Sequence, residues 1–472
     1  MKNNRKIYLL NPRDFSPETI AVAFAKTSRS PESFIEIANE LSEEKSASFH
    51  EKWVVGYGHS SVAEHAVLHL AFENVSRLAV EVIESNRLAS YTEKSTRYQK
   101  WSTDAFHIPE EVRQAGLVRD YTTAVQALLT AYAAALPPLK AIAMQENPRR
   151  ADETDEAWER RIRSQYVDVA RFFLPAAALA NVGMTVNARL LESMIRKMLS
   201  HPLAEVREIG HQVKEVAARE VPTLLKYADA VPYQQQLPGL LTTPHQPSPA
   251  GTVSDWCRLT AWQADGEDII AAAALYRYCD LPFTDVMAKV ASMTATEKSQ
   301  LLDILFADLR KFDVPLRELE HTAYTFDLLM DQGAYFEVKR HRMMTQSAQS
   351  LTFEHGYAVP AMLRQAGIES DYRTAMEQAS AAYQRLSARV GPAASYMVPN
   401  GFNRRVLLTM NFREAYAFCG LRSALNAHFS VRRVAQRVAE EIRQVHPLLG
   451  AHLSTFPGET WRGVEETFFA QV

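Results

Sequence analysis

The sequence predicts an α+β fold built from two tandem, related units, and three observations carry that expectation. The chain of 472 residues repeats a series of short motifs in the same order in each half. A proline-rich stretch divides it near the middle. Short alternating runs that read as strands sit among longer helical stretches, without the steady strand–helix alternation of a doubly wound sheet.

The elements follow in order. Ile7–Leu10 is apolar and reads as a first strand. Ser16-Pro17-Glu18 and Ser30-Pro31-Glu32 read as helix starts, each a serine cap followed by proline where no amide hydrogen is needed. Glu64-His65 opens an alternating run, Ala66–Phe72, and Glu320-His321 opens its counterpart, Thr322–Phe326; both read as strands. A helical stretch then leads into Ser85-Asn86-Arg87 or Arg340-His341-Arg342. The spacings are 320 − 64 = 256 and 340 − 85 = 255 residues. Asn187-Ala188-Arg189 matches Asn411-Phe412-Arg413, and both halves close with amphipathic stretches, about Leu203–Ala217 and Val431–Val445. Between the halves, Pro232, Pro238, Pro244, Pro247 and Pro249 read as an extended linker over Val231–Gly251. The units therefore span 1–230 and 252–472, with 231–251 between them.

Apolar residues make up 47% and charged residues 23%, the balance of a soluble globular protein. The net charge of −3 gives no general attraction to nucleic acid or to an anionic membrane. No uninterrupted apolar stretch approaches the length of a membrane span, and Ile7–Leu10 is too short for a signal-peptide core. Cys257, Cys279 and Cys419 are odd in number and lack metal-ligand spacing, which points to a reduced, cytoplasmic setting.

Three clusters could carry chemistry. In Gly58–His65, histidine, serine and glutamate precede a strand and could contact a ligand; the alternative is a capped turn with solvated side chains. His65 and His69 would lie roughly 13 Å apart along a strand, too far to share a metal, so no metal site is expected. In Ala89–Tyr98, Glu93, Ser95 and Arg97 stand at alternate positions and would share a face if extended, suiting a phosphorylated nucleotide. The alternative is a polar loop with local ion pairs. In Lys339–Ser350, two arginines flank a histidine, which suits an anionic planar cofactor, or else a basic surface run. Neither a G-x-G-x-x-G turn nor a Walker loop is present.

Together these clusters resemble the flavin-dependent thymidylate synthase family. Its signature is R-H-R, seven residues, then S, and Arg340-His341-Arg342 with Ser350 satisfies it. The first half keeps Arg87 and Ser95 at that spacing but has Ser85 and Asn86 in place of the leading pair. Gly58-His59 through Glu64-His65, Ala170-Arg171 through Pro175, Asn187 through Arg189 and Ala435 through Arg443 resemble further family blocks. The resemblance implies two fused units, each with long helices and an antiparallel-type sheet, forming an internal pseudo-dimer. It implies FAD as cofactor, and reductive methylation of dUMP to dTMP with methylenetetrahydrofolate and NADPH as co-substrates, without a cysteine nucleophile. By position, His59, Ser61, Glu64, Arg87, Asn187, Arg189, Arg340, His341, Arg342, Asn411 and Arg413 match flavin contacts. Glu93, Ser95, Arg97, Arg171, Ser350 and Arg422 match nucleotide-binding positions, with Arg422 and Ser95 the catalytic candidates.

The halves are complementary. Ala348, Thr352 and Ser395 replace Glu93, Arg97 and Arg171 in the second half, whereas Met198 stands where the second half has Arg422. The expectation is one composite site, using Glu93, Ser95 and Arg97 from the first half with Arg340, His341, Arg342 and Arg422 from the second. Ser395 leaves an arginine missing beside Arg422, with Arg404 or Arg405 as candidates to replace it. A homodimer would match a four-unit family assembly. The alternatives are a diverged flavin- and folate-dependent enzyme acting on another pyrimidine or small ring, and a non-catalytic flavin- or nucleotide-binding protein.

Overall fold

The computed structural model describes residues 8, 10–27, 30, 32–56, 60–97, 99–241, 255–310 and 313–470. Its two halves each carry one antiparallel sheet. The first holds β1 (Val67–Ser76), β2 (Ser90–Glu93) and β3 (Leu179–Asn187), in the order β1-β3-β2. The second holds β4 (Cys257–Trp262), β5 (Ala323–Asp331), β6 (Thr345–Ala348) and β7 (Asn403–Asn411), in the order β4-β5-β7-β6. Registers repeat as well as motifs: Val67 pairs with Asn187 and Ala323 with Asn411, while Glu93 pairs with Val182 and Ala348 with Val406. The alternating runs after Glu-His thus form strands with one face buried, as their period of two requires.

Each long strand turns directly into a capped helix. Ser76 caps Arg77–Glu84, and Asp331 caps Gln332–Val338. Asn187 caps Ala188–Leu199, and Asn411 caps Phe412–Arg422. In each case a side-chain oxygen accepts an amide of the first turn that has no partner within the helix.

The halves interlock around a local two-fold axis. Pro175 and Pro399 pair with each other across it, and they are repeats of one position, since 399 − 175 equals 411 − 187, or 224. Ala177 N donates to Tyr396 O at 2.7 Å and Asn400 N to Leu174 O at 3.0 Å. Phe172 stacks on Phe429 with centroids 5.8 Å apart, and the symmetry-related contact is Tyr396 Oη donating to Glu205 at 2.7 Å. Contacts that swap partners in this way define an isologous interface. One apolar core accordingly contains residues of both halves, with Tyr372, Met376 and Leu386 of the Glu369–Val390 helix packed with Leu128, Tyr132 and Leu139 of Val118–Glu146. A second core lies within the second half. The Val118–Glu146 helix is long and apolar enough to cross a membrane by length and composition, but Tyr121, Val125, Leu129, Tyr132 and Leu139 on one face are buried in the shared core.

Three expectations need correction. Pro232–Leu241 is a helix rather than extended linker, with proline in its first turn, where a missing amide hydrogen costs nothing, and a Gln-rich run behind it. Residues 242–251 lie outside the described residues. The second predicted helix starts at Phe34, because Ser33 and Glu36 form a reciprocal capping box that Ser30 cannot complete. Tyr8 and Leu10 belong to no strand, and Ile7 and Leu9 lie outside the described residues.

Candidate functional site

The composite site forms where the end of β2 meets the turn after Gln332–Val338. The Glu93 side chain is 2% exposed and receives Arg77 Nη1 and Arg340 Nη2, each at 2.9 Å. Arg77 comes from the first half and Arg340 from the second, so one carboxylate ties the halves together. Burial pushes the Glu93 carboxyl up, but Arg77, Lys339 and Arg340 outweigh it and hold the group below its ordinary range. The Arg77 guanidinium lies 4.0 Å from the centre of the Phe336 ring. Lys339 pairs with Glu84 of the other half at 2.9 Å.

A second bridge lies deeper. Glu337 Oε1 receives Arg171 Nη2 at 3.3 Å and Glu337 Oε2 receives Arg422 Nη1 at 3.2 Å. Two guanidinium groups share one carboxylate, so this buried triad carries one positive charge in excess. Burial lowers the Arg422 pKa, while Glu337 supports the charged form. Arg422 Nε donates to His341 Nε2 at 2.9 Å, which makes that nitrogen an acceptor and places the ring proton on Nδ1, 2.8 Å from Glu414. The chain Glu414–His341–Arg422–Glu337–Arg171 thus fixes both arginines.

The missing positive charge beside Arg422 comes from the other half: Arg171 fills it. The expectation that Arg404 or Arg405 would do so is overturned. Arg404 pairs with Glu81 at 2.6 Å and Arg405 with Asp327 at 2.8 Å. Ser395, at the repeat position of Arg171, donates to Leu351 O instead.

The loop carrying Glu93, Ser95 and Arg97 is also not the single extended face expected of it. β2 ends at Glu93, and Ser95 Oγ accepts the amide of Arg97 at 3.2 Å, closing a turn. Arg97 forks Asp168 through Nε and Nη2, both at 2.8 Å, and its Nη1 reaches Asn426 O of the second half at 2.7 Å. Burial raises the Asp168 pKa, and Arg97 opposes it. A pocket of 430 Å³ opens beside Arg97, Asp168, Leu425 and Arg432. Ser350 is exposed on the loop after β6.

Three of the remaining flavin candidates lie in two symmetric ion pairs. Arg189 pairs with Glu64, and Arg413 pairs with Glu320 at 2.6 Å while also donating to Pro315 O. The antiparallel registers bring each Glu-His onto its Asn-x-Arg. Asn187 and Asn411 spend their side-chain oxygens on helix capping. Ser61 is exposed in a tight turn, and His59 lies outside the described residues. Arg87 donates to Met344 O at 3.1 Å, and Arg342 donates to Arg87 O at 3.2 Å. His65 ends the turn before β1 and packs on Phe24, and His69 on β1 bonds Thr185.

Sequence reasoning missed Glu337 and Asp168. Each stands near the end of a helix, three residues before a motif arginine, Arg340 or Arg171. That spacing was a usable signal, but each carboxylate pairs with an arginine far away in the chain.

A family model described as "Thymidylate synthase complementing protein" matches residues 13–223 and again 258–448. The chain belongs to this family, in tandem. A UPF0159 protein of Chlamydia pneumoniae is 30% identical over 432 residues, covering 87% of this chain and 80% of its own length. A UPF0159 protein of Thermoplasma acidophilum is 29% identical over 452 residues, covering 87% and 89%. A flavin-dependent thymidylate synthase of Clostridium tetani is 28% identical over 215 residues, 45% of this chain and 82% of its own. That protein corresponds to one half here, in keeping with a doubled family unit. The architecture is α+β, with one small antiparallel sheet among long helices in each of the two matched segments.

Proposed function

We propose that this chain is an FAD-dependent enzyme of the thymidylate synthase type. It reductively methylates dUMP to dTMP at one composite site, with methylenetetrahydrofolate and NADPH as co-substrates. The supporting observation is that Arg171 and Arg422, matched to nucleotide positions in opposite halves, meet on Glu337. The relatives named flavin-dependent thymidylate synthase support the reaction class.

The donor set suits the ligands. The Arg171–Glu337–Arg422 triad is one charge positive, and Arg171 Nε is buried without a hydrogen-bond partner. Such a place suits an anionic, oxygen-rich ligand, because guanidinium groups form strong charge-assisted bonds to carboxylate and phosphate oxygens. Arg422 would draw electron density from the pyrimidine ring, with His341 and Glu414 holding its orientation. Glu93 would position Arg340, and Ser95 would order the loop. Arg87, Arg189, Arg340 and Arg342 leave side chains accessible to an anionic dinucleotide, and with His59, Ser61, Glu64, His341, Asn187, Asn411 and Arg413 they are the flavin candidates. Bound flavin would supply the reducing electrons. On this reading the two units span 1–230 and 252–472 with 231–251 between them, and a homodimer would complete a four-unit assembly.

Complementation of a thymidine-requiring strain by the wild-type chain, and its loss in Arg422→Ala, tests the proposal. Undiminished turnover of dUMP by purified Arg422→Ala overturns it. A second reading, a related reaction on another pyrimidine, is favoured by one observation: Arg97 is committed to Asp168 rather than open to a phosphate. A flavin spectrum that responds to a different pyrimidine nucleotide but not to dUMP selects that reading; a colourless protein favours a non-catalytic one.

A further inference from the structure

The local two-fold axis gives the composite site a counterpart. At the first site, a pocket of 280 Å³ is lined by Glu84, Tyr91, Thr92, Glu93, Lys339, Arg340 and Arg342. Its repeat-related positions are Lys339, Gln346, Ser347, Ala348, Glu84, Ser85 and Arg87. Five of these seven line a second pocket of 340 Å³. The second pocket is therefore the repeat-related counterpart of the first, with its chemistry changed.

The change is in charge. Where the first pocket has the Glu93–Arg340 ion pair, the second has Ala348 and Ser85, so a carboxylate and a guanidinium are both gone. In their place Lys197, from the Ala188–Leu199 helix, reaches in and donates to Ser85 Oγ. Lys197, Arg87 and Arg342 line this pocket, and the polar partners they have are neutral: a hydroxyl, Met344 O with Thr345 Oγ1, and Arg87 O. The two carboxylates on its wall are already engaged, Glu81 by Arg404 and Gln332, and Glu84 by Lys339. His201 completes the wall; its Nδ1 accepts the amide of Leu203, which leaves Nε2 as a donor. Burial lowers the Lys197 pKa, as expected for an ammonium lacking a counter-ion.

We propose that this second pocket binds a phosphate monoester of mononucleotide size through Lys197, Arg87 and Arg342, and performs no chemistry on it. Three cations without counter-ions match a group that carries a charge of roughly −1.5 to −2 at neutral pH. A volume of 340 Å³ sits at the small end of ligand pockets, roughly 300–1,000 Å³, which fits a mononucleotide and not a dinucleotide such as FAD. Chemistry is absent because Met198 and Ser395 stand where the first site has Arg422 and Arg171. The inference goes beyond the reductive methylation proposed above, and it assigns Arg87 and Arg342 to this pocket's phosphate in place of the flavin that their positions match.

The test titrates the full-length, flavin-loaded protein with dUMP and, separately, inorganic phosphate, by calorimetry at low salt. Lys197→Met is expected to weaken one class of site roughly ten- to hundredfold, the loss of one charge-assisted contact, with flavin content unchanged. Lys197→Arg is expected to restore it, and Arg422→Ala to leave that class of site intact. Equal binding of dUMP by wild type and Lys197→Met overturns the proposal, as does a Lys197-dependent site that takes inorganic phosphate but not dUMP. Loss of a different dUMP site in Arg422→Ala bears only on the composite site, so the two readings fail separately.

Discussion

Replacing Glu93 by glutamine keeps its shape and removes its charge, and the two arginines it serves feel this very differently. Arg77 has a side chain 2% exposed, whereas Arg340 is 48% exposed. Without Glu93, Arg77 becomes a buried guanidinium whose nearest remaining carboxylate influence is Glu84. Breaking a buried pair by removing one partner costs about 3–5 kcal/mol, mostly the uncompensated charge left behind. The Arg340 contact is largely solvated and contributes about 0–1 kcal/mol. Glu93→Gln should therefore lower stability by about 3–5 kcal/mol, and Arg340→Ala by about 1 kcal/mol or less. At roughly 2–4 °C per kcal/mol for units of this size, the first variant melts roughly 6–20 °C below wild type. Differential scanning calorimetry at neutral pH reads both. Equal shifts for the two variants, or a Glu93→Gln melting point within 2 °C of wild type on the same scale, would show that Arg77 is not held by this carboxylate.

The remaining predictions concern acid, packing and symmetry. His201 has its pKa lowered to about 4, and that of His428 is lowered well below normal, both mainly by burial. A depressed folded pKa gives stability that is full above the unfolded value near 6.5 and lost as pH falls toward the folded one, so stability should decline from pH 6.5 downward, with His201 contributing up to about 3 kcal/mol by pH 4. His201→Asn should flatten that part of a denaturation-versus-pH profile, and an unchanged slope would exclude His201 as its source. Below the ordinary carboxylate range, protonation of Glu93 and Glu81, both held low by arginine, removes a further stabilising contribution. Gly401→Ala would place a Cβ 2.2 Å from Tyr372 Oη and 3.3 Å from the Phe172 carbonyl across the half-to-half contact, costing roughly 1–3 kcal/mol. Gly183→Ala on β3 meets nothing within 4 Å and serves as the near-neutral control in the same melt.

Local signals carried much of this molecule. The doubled motif order, the strands after each Glu-His and the Ser16 cap were legible because period, capping and proline chemistry act within a few residues. The same locality misled at Ser30, where Ser33 and Glu36 make a better cap, and at Pro232–Leu241, where proline in a first turn starts a helix instead of preventing one. The complementarity of the halves was also visible, as was the doubt over an arginine beside Arg422.

By itself the sequence determined that the chain is a doubled α+β unit whose halves have diverged in complementary ways. Only the tertiary structure decided which charges meet. Arg171, not Arg404, stands with Arg422; Asp168 holds Arg97; and Lys197 enters the second pocket beside Ser85. The physical reason is that ion pairs are chosen by distance and burial across an interface, between residues whose separation in sequence carries no periodic signal.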